Sequence, residues 1–367
     1  MEIAELKNMI FILEDEMAKE IESISDYIFR HPELGREEYL SSKFLVDTLA
    51  KYGFDILYPY YSDIPTSFRA EIGKNEGPKF AFLAEYDALP GMGVDGKPGH
   101  ACGHNWIAAT AVGSGIVLSR IIEYLPGKIV IFGTPAEETV GYKVNMVERG
   151  GFDDIDGVLQ LHLGEMNTLE TSTLAIDSLQ FDFIGKAAHA ASNPYNGINA
   201  LDAVNLTYAG INALRQHVKS DVRIHGIITE GGKAPNIVPD YGSCKFYIRA
   251  NQRKYLNEVT EKVINCAKGA ALMTGAELKI SRFENSYNNL MVNPILSLVA
   301  KENLEAAGFQ DFKKAEDFQA GSSDIGNVSH VVPTAYGNID IGLNVQAHQK
   351  EFAENANGPE AMKRLHM

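Results

Sequence analysis

The 367-residue sequence predicts an α/β domain with a central mixed, largely parallel sheet, interrupted by an inserted ferredoxin-like α+β domain. Three observations carry this. Helical segments alternate with short apolar strands through roughly the first 170 residues, the pattern of parallel βα units. A β-α-β-β-α-β run follows, the split βαβ order of a ferredoxin-like unit. Helix and strand signals of the first kind resume at about Ser286. The expected domains are therefore 1–170 with 286–367, and an inserted 171–285.

The N-terminus reads as an amphipathic helix, with Leu6, Ile10, Leu13, Met17, Ile21, Ile24 and Ile28 three and four apart. Pro32 and Gly35 punctuate its end. A second helix is expected over Glu37–Tyr52, then strands over Ser67–Ile72 and Lys79–Ala84. Ala108–Tyr124 reads as a helix, Lys128–Gly133 as a short buried strand, Tyr142–Arg149 as a helix and Gly157–Leu163 as a strand. In the insert, strands are expected over Leu174–Phe183, Val222–Thr229, Ser243–Ala250 and Leu278–Phe283. Helices are expected over Ala200–His217 and Lys254–Thr274. A last strand is expected over Thr334–Ile341.

Composition narrows the function classes. Hydrophobic residues make up 45% of the chain, ample for two cores. Acidic residues outnumber basic ones 48 to 33, a net charge of −15, which argues against nucleic acid and anionic membranes as partners. The apolar stretch Ile107–Leu118 is broken by Gly113, Ser114 and Gly115 and is too short to cross a bilayer. The first residues carry several charges and no clean apolar core, unlike a secretory signal. Cys102, Cys244 and Cys266 are an odd, sparse set, which points to a reducing, cytoplasmic setting.

Four segments carry ligand-type side chains at or after strand ends, where open α/β sheets form sites. In the loop Ala84–Asn105, Cys102 and His104 stand two apart; if the loop is extended, both side chains face one cation. A thiolate can bridge two metals, and Asp87 could fix the tautomer of a histidine. Alone, C-x-H fits a glycine-rich loop equally well. Glu137 and Glu138 follow a buried strand directly. One could ligate while the other takes a proton from water, or both could simply favour a helix N-terminus. His162 lies at the end of a strand and His348 near the chain end; singly, each reads as an ordinary histidine. Together they make the donor inventory of a dinuclear hydrolase.

EYDALPG, GHACGHN, GTPAEE, LHLG, KAAHAA, GGKAPNIVPD, GSSDIGNVSHVVP and AHQKEF, in that order after HPELG, form a family-specific set. With them the chain resembles the amidohydrolase branch of the aminoacylase and carboxypeptidase-type dinuclear metallopeptidases. It is most similar there to the p-aminobenzoyl-glutamate hydrolase and β-alanyl-lysine dipeptidase group. The resemblance implies metal-dependent hydrolysis of an amide bond in a small carboxylate-bearing substrate. It implies Cys102, His104, Glu138, His162 and His348 as ligands of two divalent ions, zinc first, with manganese or cobalt as alternatives. Glu137 would be the general base, and His189 would stabilise the oxyanion from the inserted lid domain of a neighbouring subunit in a homodimer. Asn236, Arg249 and Ser323 would bind substrate, with Ser322 and Asp324 on the same loop as Ser323 and Arg249 gripping a carboxylate. The wider superfamily has His-x-Asp where this chain has Glu85-Tyr86-Asp87, a departure the branch shares. The competing expectations are a peptidase acting on longer peptides, a non-catalytic ligand-binding relative, and a metallophosphoesterase, which the thiolate suits poorly.

Overall fold

The computed structural model describes residues 2–169, 171–314 and 321–367. The chain divides into two compact units: unit 1, Met1–Ser172 with Leu290–Met367, and unit 2, Thr173–Asn289. Unit 1 opens with α1 (Ile3–Arg30), α2 (Tyr39–Lys51), β1 (Asp55–Leu57), β2 (Phe68–Gly73) and β3 (Lys79–Ala84). It continues with α3 (His104–Ser119), β4 (Lys128–Gly133), α4 (Tyr142–Glu148) and β5 (Gly157–Gly164). Unit 2 holds β6 (Ala175–Ile184), α5 (Ala200–Leu214), β7 (Arg223–Glu230), β8 (Tyr241–Ala250), α6 (Arg253–Thr274) and β9 (Glu277–Ser281). Unit 1 resumes with α7 (Pro294–Ala306), α8 (Ile325–Ser329), β10 (Thr334–Asp340), α9 (Lys350–Asn355) and α10 (Pro359–Leu365).

Among the described residues, the sheet of unit 1 has the order β1-β2-β4-β3-β5-β10. β4, β3, β5 and β10 run parallel, and β1 and β2 add an antiparallel edge. β4 is buried at five successive positions, Ile129–Gly133, as a strand covered on both faces must be. On one face Ile21, Ile24 and Ile28 of α1 and Ala108, Val112 and Ile116 of α3 pack over Ile129 and Ile131. On the other, Val130 and Phe132 meet Met146, Phe152, Ile325 and Val328. The parallel strands all end on one edge, and the loops leaving that edge carry Glu85, Asp87, Glu137, Glu138 and His348.

Unit 2 is a four-stranded antiparallel sheet of order β7-β8-β6-β9 with α5 and α6 against one face, the ferredoxin-like topology. Burial alternates along β8, where Cys244, Phe246, Ile248 and Ala250 point into the core. Its final residues return along its first strand: Tyr287 pairs with Ile176, and the Arg253 N–H donates to Asn289 at 2.9 Å.

Most expected elements fall within two residues of those observed. Three differences have physical causes. α3 begins at His104, four residues before the expected Ala108, because Gly103 adopts the left-handed conformation (φ 71°) and turns the chain into the helix. Cys102 and His104 therefore do not share an extended loop. β9 stops at Ser281 instead of Phe283, since Arg282 turns its guanidinium to Asp177 at 2.8 Å. β1 escapes the sequence because three residues are too few to show alternation.

Candidate metal centre and active site

Unit 1 brings Cys102, His104, Glu137, Glu138, His162 and His348 into one cluster. Ligand atoms of Cys102, His104 and His162 lie within 4.8 Å of one another, as do those of Cys102, Glu138 and His348 and those of His104, Glu137 and Glu138. Cys102, His104 and Glu138 each belong to two of these groups, and a thiolate among them is a donor able to serve two ions. Cys102 Sγ is 3.5 Å from His162 Nε2. Glu138 Oε1 is 3.4 Å from His348 Nε2.

Each side chain is placed by its own element. His104 is the first residue of α3 and is fully buried. His162 projects from β5, with its Nδ1 2.7 Å from the Leu163 carbonyl. His348 sits in the left-handed region (φ 64°), uncommon for a histidine. Its N–H donates to the Ala101 carbonyl at 2.8 Å, and Glu165 accepts the neighbouring Ala347 N–H at 3.1 Å. Asp87 ties two of the groups together. Its Oδ1 lies 2.9 Å from His104 Nδ1, and its Oδ2 accepts the Glu138 N–H at 3.0 Å. The His104 Nδ1 proton is thereby fixed towards Asp87 and Nε2 is turned inward as a lone-pair donor.

The inward atoms decide the chemistry. His104 Nε2, Glu138 Oε1 and Glu85 Oε2 are buried with no hydrogen-bond partner among the described residues. His104 Nε2 lies 3.9 Å from Glu138 Oε1 and 3.7 Å from Glu85 Oε2, too far for hydrogen bonds. Orphaned buried acceptors cost about 1–3 kcal/mol each, and a shared cation removes that cost. Thiolate, imidazole and carboxylate converging at this spacing fit a pair of divalent ions.

Electrostatics separates the two adjacent glutamates. Burial, then the charges of Glu138, Glu85 and Asp324, pushes Glu137 well above the carboxylate range. Burial acts on Glu138 too, but the His348 ring 3.4 Å away and the charges of His104 and His348 overcome it and hold Glu138 at about 2. The two neighbouring carboxyls are thus pushed in opposite directions, Glu137 up and Glu138 down, the split that divides acid–base from ligand roles. Burial and Glu138 likewise push the Cys102 thiol up. Burial opposes protonation of His104, but the charge and hydrogen bond of Asp87 raise it well above the usual histidine value.

Sequence reasoning missed the wall behind this cluster. Lys143, fully buried on α4, places its Nζ 2.5 Å from Glu85 Oε1 and 2.7 Å from Asp324 Oδ1. Its backbone N–H also donates to Asp324 Oδ2 at 3.0 Å. Asp324, expected on a loop near substrate, is buried just before α8, paired with Lys143 and with a carboxylate oxygen within 4.8 Å of those of Glu85 and Glu137. Ser323 beside it is half-buried, its Oγ 3.5 Å from the Ile325 N–H. A single lysine beside Asn145 in the helical stretch YKVNMV carries no period that marks it as buried.

The model of the peptidase family M20/M25/M40 matches residues 81–365. The chain belongs to this family. The mouse Xaa-Arg dipeptidase is 36% identical over 359 residues, covering 93% of this chain and 81% of the mouse protein. One of the subunits of the p-aminobenzoyl-glutamate hydrolase of Escherichia coli K12 is 33% identical over 308 residues, covering 80% of this chain and 63% of that one. Among solved structures, the Bacillus subtilis YXEP protein, described as a dinuclear metal-binding peptidase of the M20 family, superposes with a TM-score of 0.71. It is 20% identical, with 96% of this chain and 98% of that one covered, a likeness of fold.

This M20 chain carries its remaining expected residues in unit 2. His189 is exposed, with its Nδ1 accepting the N–H groups of Ala191 and Ser192 at 3.3 and 3.2 Å. The His189 and Asn236 segments run side by side: the Ala190 N–H donates to the Asn236 carbonyl at 3.0 Å, and His189 bridges Ile237. Arg249 is half-buried on β8, its guanidinium 5.7 Å from the Tyr247 ring centre.

Proposed function

We propose that this M20 hydrolase cleaves the amide bond of a small substrate ending in a free carboxylate, a dipeptide first, using two divalent metal ions. The observation that carries this is the convergence of ligand atoms from Cys102, His104, Glu138, His162 and His348, with His104 Nε2 and Glu138 Oε1 buried and unpartnered among the described residues. Those five residues would hold the ions. Bound there, the ions would polarise the scissile carbonyl and bring the pKa of a water towards neutrality. Zinc suits the thiolate and imidazole donors best; manganese and cobalt remain compatible with the carboxylate.

The chain's own residues supply the rest. Glu137 takes a proton from the attacking water as its oxygen bonds to the carbonyl carbon. Glu137 returns that proton to the amide nitrogen as the C–N bond breaks. His189 donates to the developing oxyanion, contributed across a homodimer formed through unit 2. Arg249 grips the substrate carboxylate, with Asn236 and Ser323 against the rest of it. Asp87 keeps His104 turned inward.

Dimerisation through unit 2 is supported by β7, an edge strand whose Ile227 and Ile228 are 63% and 45% exposed. A cytoplasmic setting is supported by three free cysteines. No helix among the described residues is long and apolar enough to cross a membrane. A second reading, hydrolysis of N-acyl or aminobenzoyl-glutamate-type amides, is favoured by the likeness to the Escherichia coli hydrolase.

The test is a panel of Xaa-Arg and β-alanyl dipeptides, N-acyl amino acids and p-aminobenzoyl-glutamate, offered to metal-loaded protein. Cleavage of a carboxylate-bearing member, and none of its amidated analogue, is expected. Two bound metals with no cleavage across the panel would favour a non-catalytic binding protein instead.

A further inference from the structure

The segment HPELGREE, His31–Glu38, is not among the candidate ligands, yet it lies against two of the loops that carry them. The Ala88 N–H donates to the Glu33 carbonyl at 2.8 Å, and Leu34 pairs with Ala88, one residue beyond Asp87. A Cβ at Gly35 would stand 2.5 Å from Thr139 Oγ1 and 3.1 Å from Ala136 Cα, so only glycine allows this approach. Glu38 ends the segment and is fully buried. Its Oε1 accepts the Ala136 N–H at 2.7 Å, and its Oε2 accepts the Thr66 hydroxyl at 2.9 Å.

Ala136 is the residue before Glu137. It is fully buried and left-handed, with φ at 57°. That conformation costs an alanine about 1–2 kcal/mol and persists only where the surroundings enforce it. Its carbonyl accepts the Gly141 N–H at 2.9 Å, closing the loop behind the glutamate pair. The Glu38 carboxyl is thus a partner of the strained residue that aims Glu137 and Glu138 into the cluster.

We propose that Glu38 is a positioning residue for catalysis, holding Ala136 left-handed so that Glu137 meets the attacking water. This rests on the assignment of Glu137 as general base. The hold is a hydrogen bond to a carbonyl-type oxygen, so glutamine satisfies it: its Oε1 accepts from Ala136 and its amide donates to the Thr66 hydroxyl. Burial, then the charge of Asp87, pushes Glu38 up to about 7, consistent with a site that tolerates a neutral amide.

The experiment compares Glu38→Ala, Glu38→Gln and Glu38→Asp in the full metal-loaded chain by steady-state kinetics and by amide hydrogen exchange at Ala136. Glu33→Ala serves as the control. The Glu33 carboxylate accepts the Leu40 and Ser41 N–H groups at the start of α2. For Glu38→Ala, kcat falls about 10²-fold with KM little changed, since small misplacements of a catalytic group act at that scale. Ala136 exchanges faster in the same variant. Glu38→Gln restores both, and Glu33→Ala alters neither. Should Glu38→Ala not fold, Glu38→Asp carries the test: its shorter reach lowers kcat while keeping the charge. Unchanged kcat in the alanine or aspartate variant, loss of kcat without faster exchange at Ala136, or a glutamine variant as impaired as alanine overturns the proposal. Exchange at Ala136 is readable even if no substrate is cleaved, which separates this proposal from the assignment of the reaction.

Discussion

Each unit buries a charged cluster, and the two are built to opposite rules. In unit 2, Asp177 is 1% exposed and fully partnered. Its Oδ1 accepts from Arg253, Arg282 and the Ser286 hydroxyl at 3.1, 2.8 and 2.6 Å. Its Oδ2 accepts from Arg253 and the Thr260 hydroxyl, both at 2.6 Å. It welds β6, α6 and the segment after β9 into one body. In unit 1, Glu85, Glu137 and Asp324 converge with Lys143 as the near cation, while Glu85 Oε2, Glu138 Oε1 and His104 Nε2 stay unpartnered among the described residues. A satisfied buried charge stabilises its unit. An unsatisfied one is tolerated where something else is to be held. The difference separates structure from chemistry without reference to any relative.

Breaking the two clusters should therefore give different phenotypes. Glu137→Gln removes the proton acceptor and nothing structural. Turnover is expected to fall by about 10³-fold or more with both metals retained, read as kcat alongside metal content. Near-normal turnover with metal bound would falsify the role given to Glu137. Lys143→Met leaves Glu85 and Asp324 facing each other uncompensated. Urea unfolding of this variant is expected to show a loss of about 3 kcal/mol, with activity lost as the wall shifts. Asp177→Asn should cost about 2 kcal/mol and leave kcat unchanged at a temperature where it remains folded. A fall in kcat there would erase the contrast between the clusters.

The pH dependence sharpens the same point. Burial opposes ionisation of Asp177, but hydrogen bonds from Arg253, Ser286 and Thr260 hold its carboxyl below the usual range. Its contribution is therefore complete above an unfolded value of about 4 and is lost as pH falls from there towards the depressed folded value. The stability gap between wild type and Asp177→Asn, followed by urea unfolding, should be constant from neutral pH down to about 4 and shrink below it. A gap that widened on acidification would contradict the assignment.

Much of this was legible in the sequence. The apolar strand runs and the β-α-β-β-α-β order of the insert declared the fold, because parallel and antiparallel sheets leave different hydrophobic periods. Cys102, His104, Glu137, Glu138, His162 and His348 were legible because such donors at strand ends are chemically conspicuous. The left-handed turn at Gly103 was not, so a helix start replaces the extended loop expected for Cys102 and His104, although both side chains reach the cluster. Lys143 and Glu38 were illegible for a common reason. Their roles lie in contacts to Asp324 and to the Ala136 amide, far away in sequence, and a single charged residue carries no period.

Metal titration of the demetallated protein tests the central claim most directly. Calorimetry with elemental analysis should find two divalent ions per chain. Cys102→Ser should weaken both, because Cys102 is shared between two ligand groups, whereas His348→Ala should weaken mainly one. Fewer than two ions bound by the wild-type chain, or an unchanged titration in Cys102→Ser, would contradict the account.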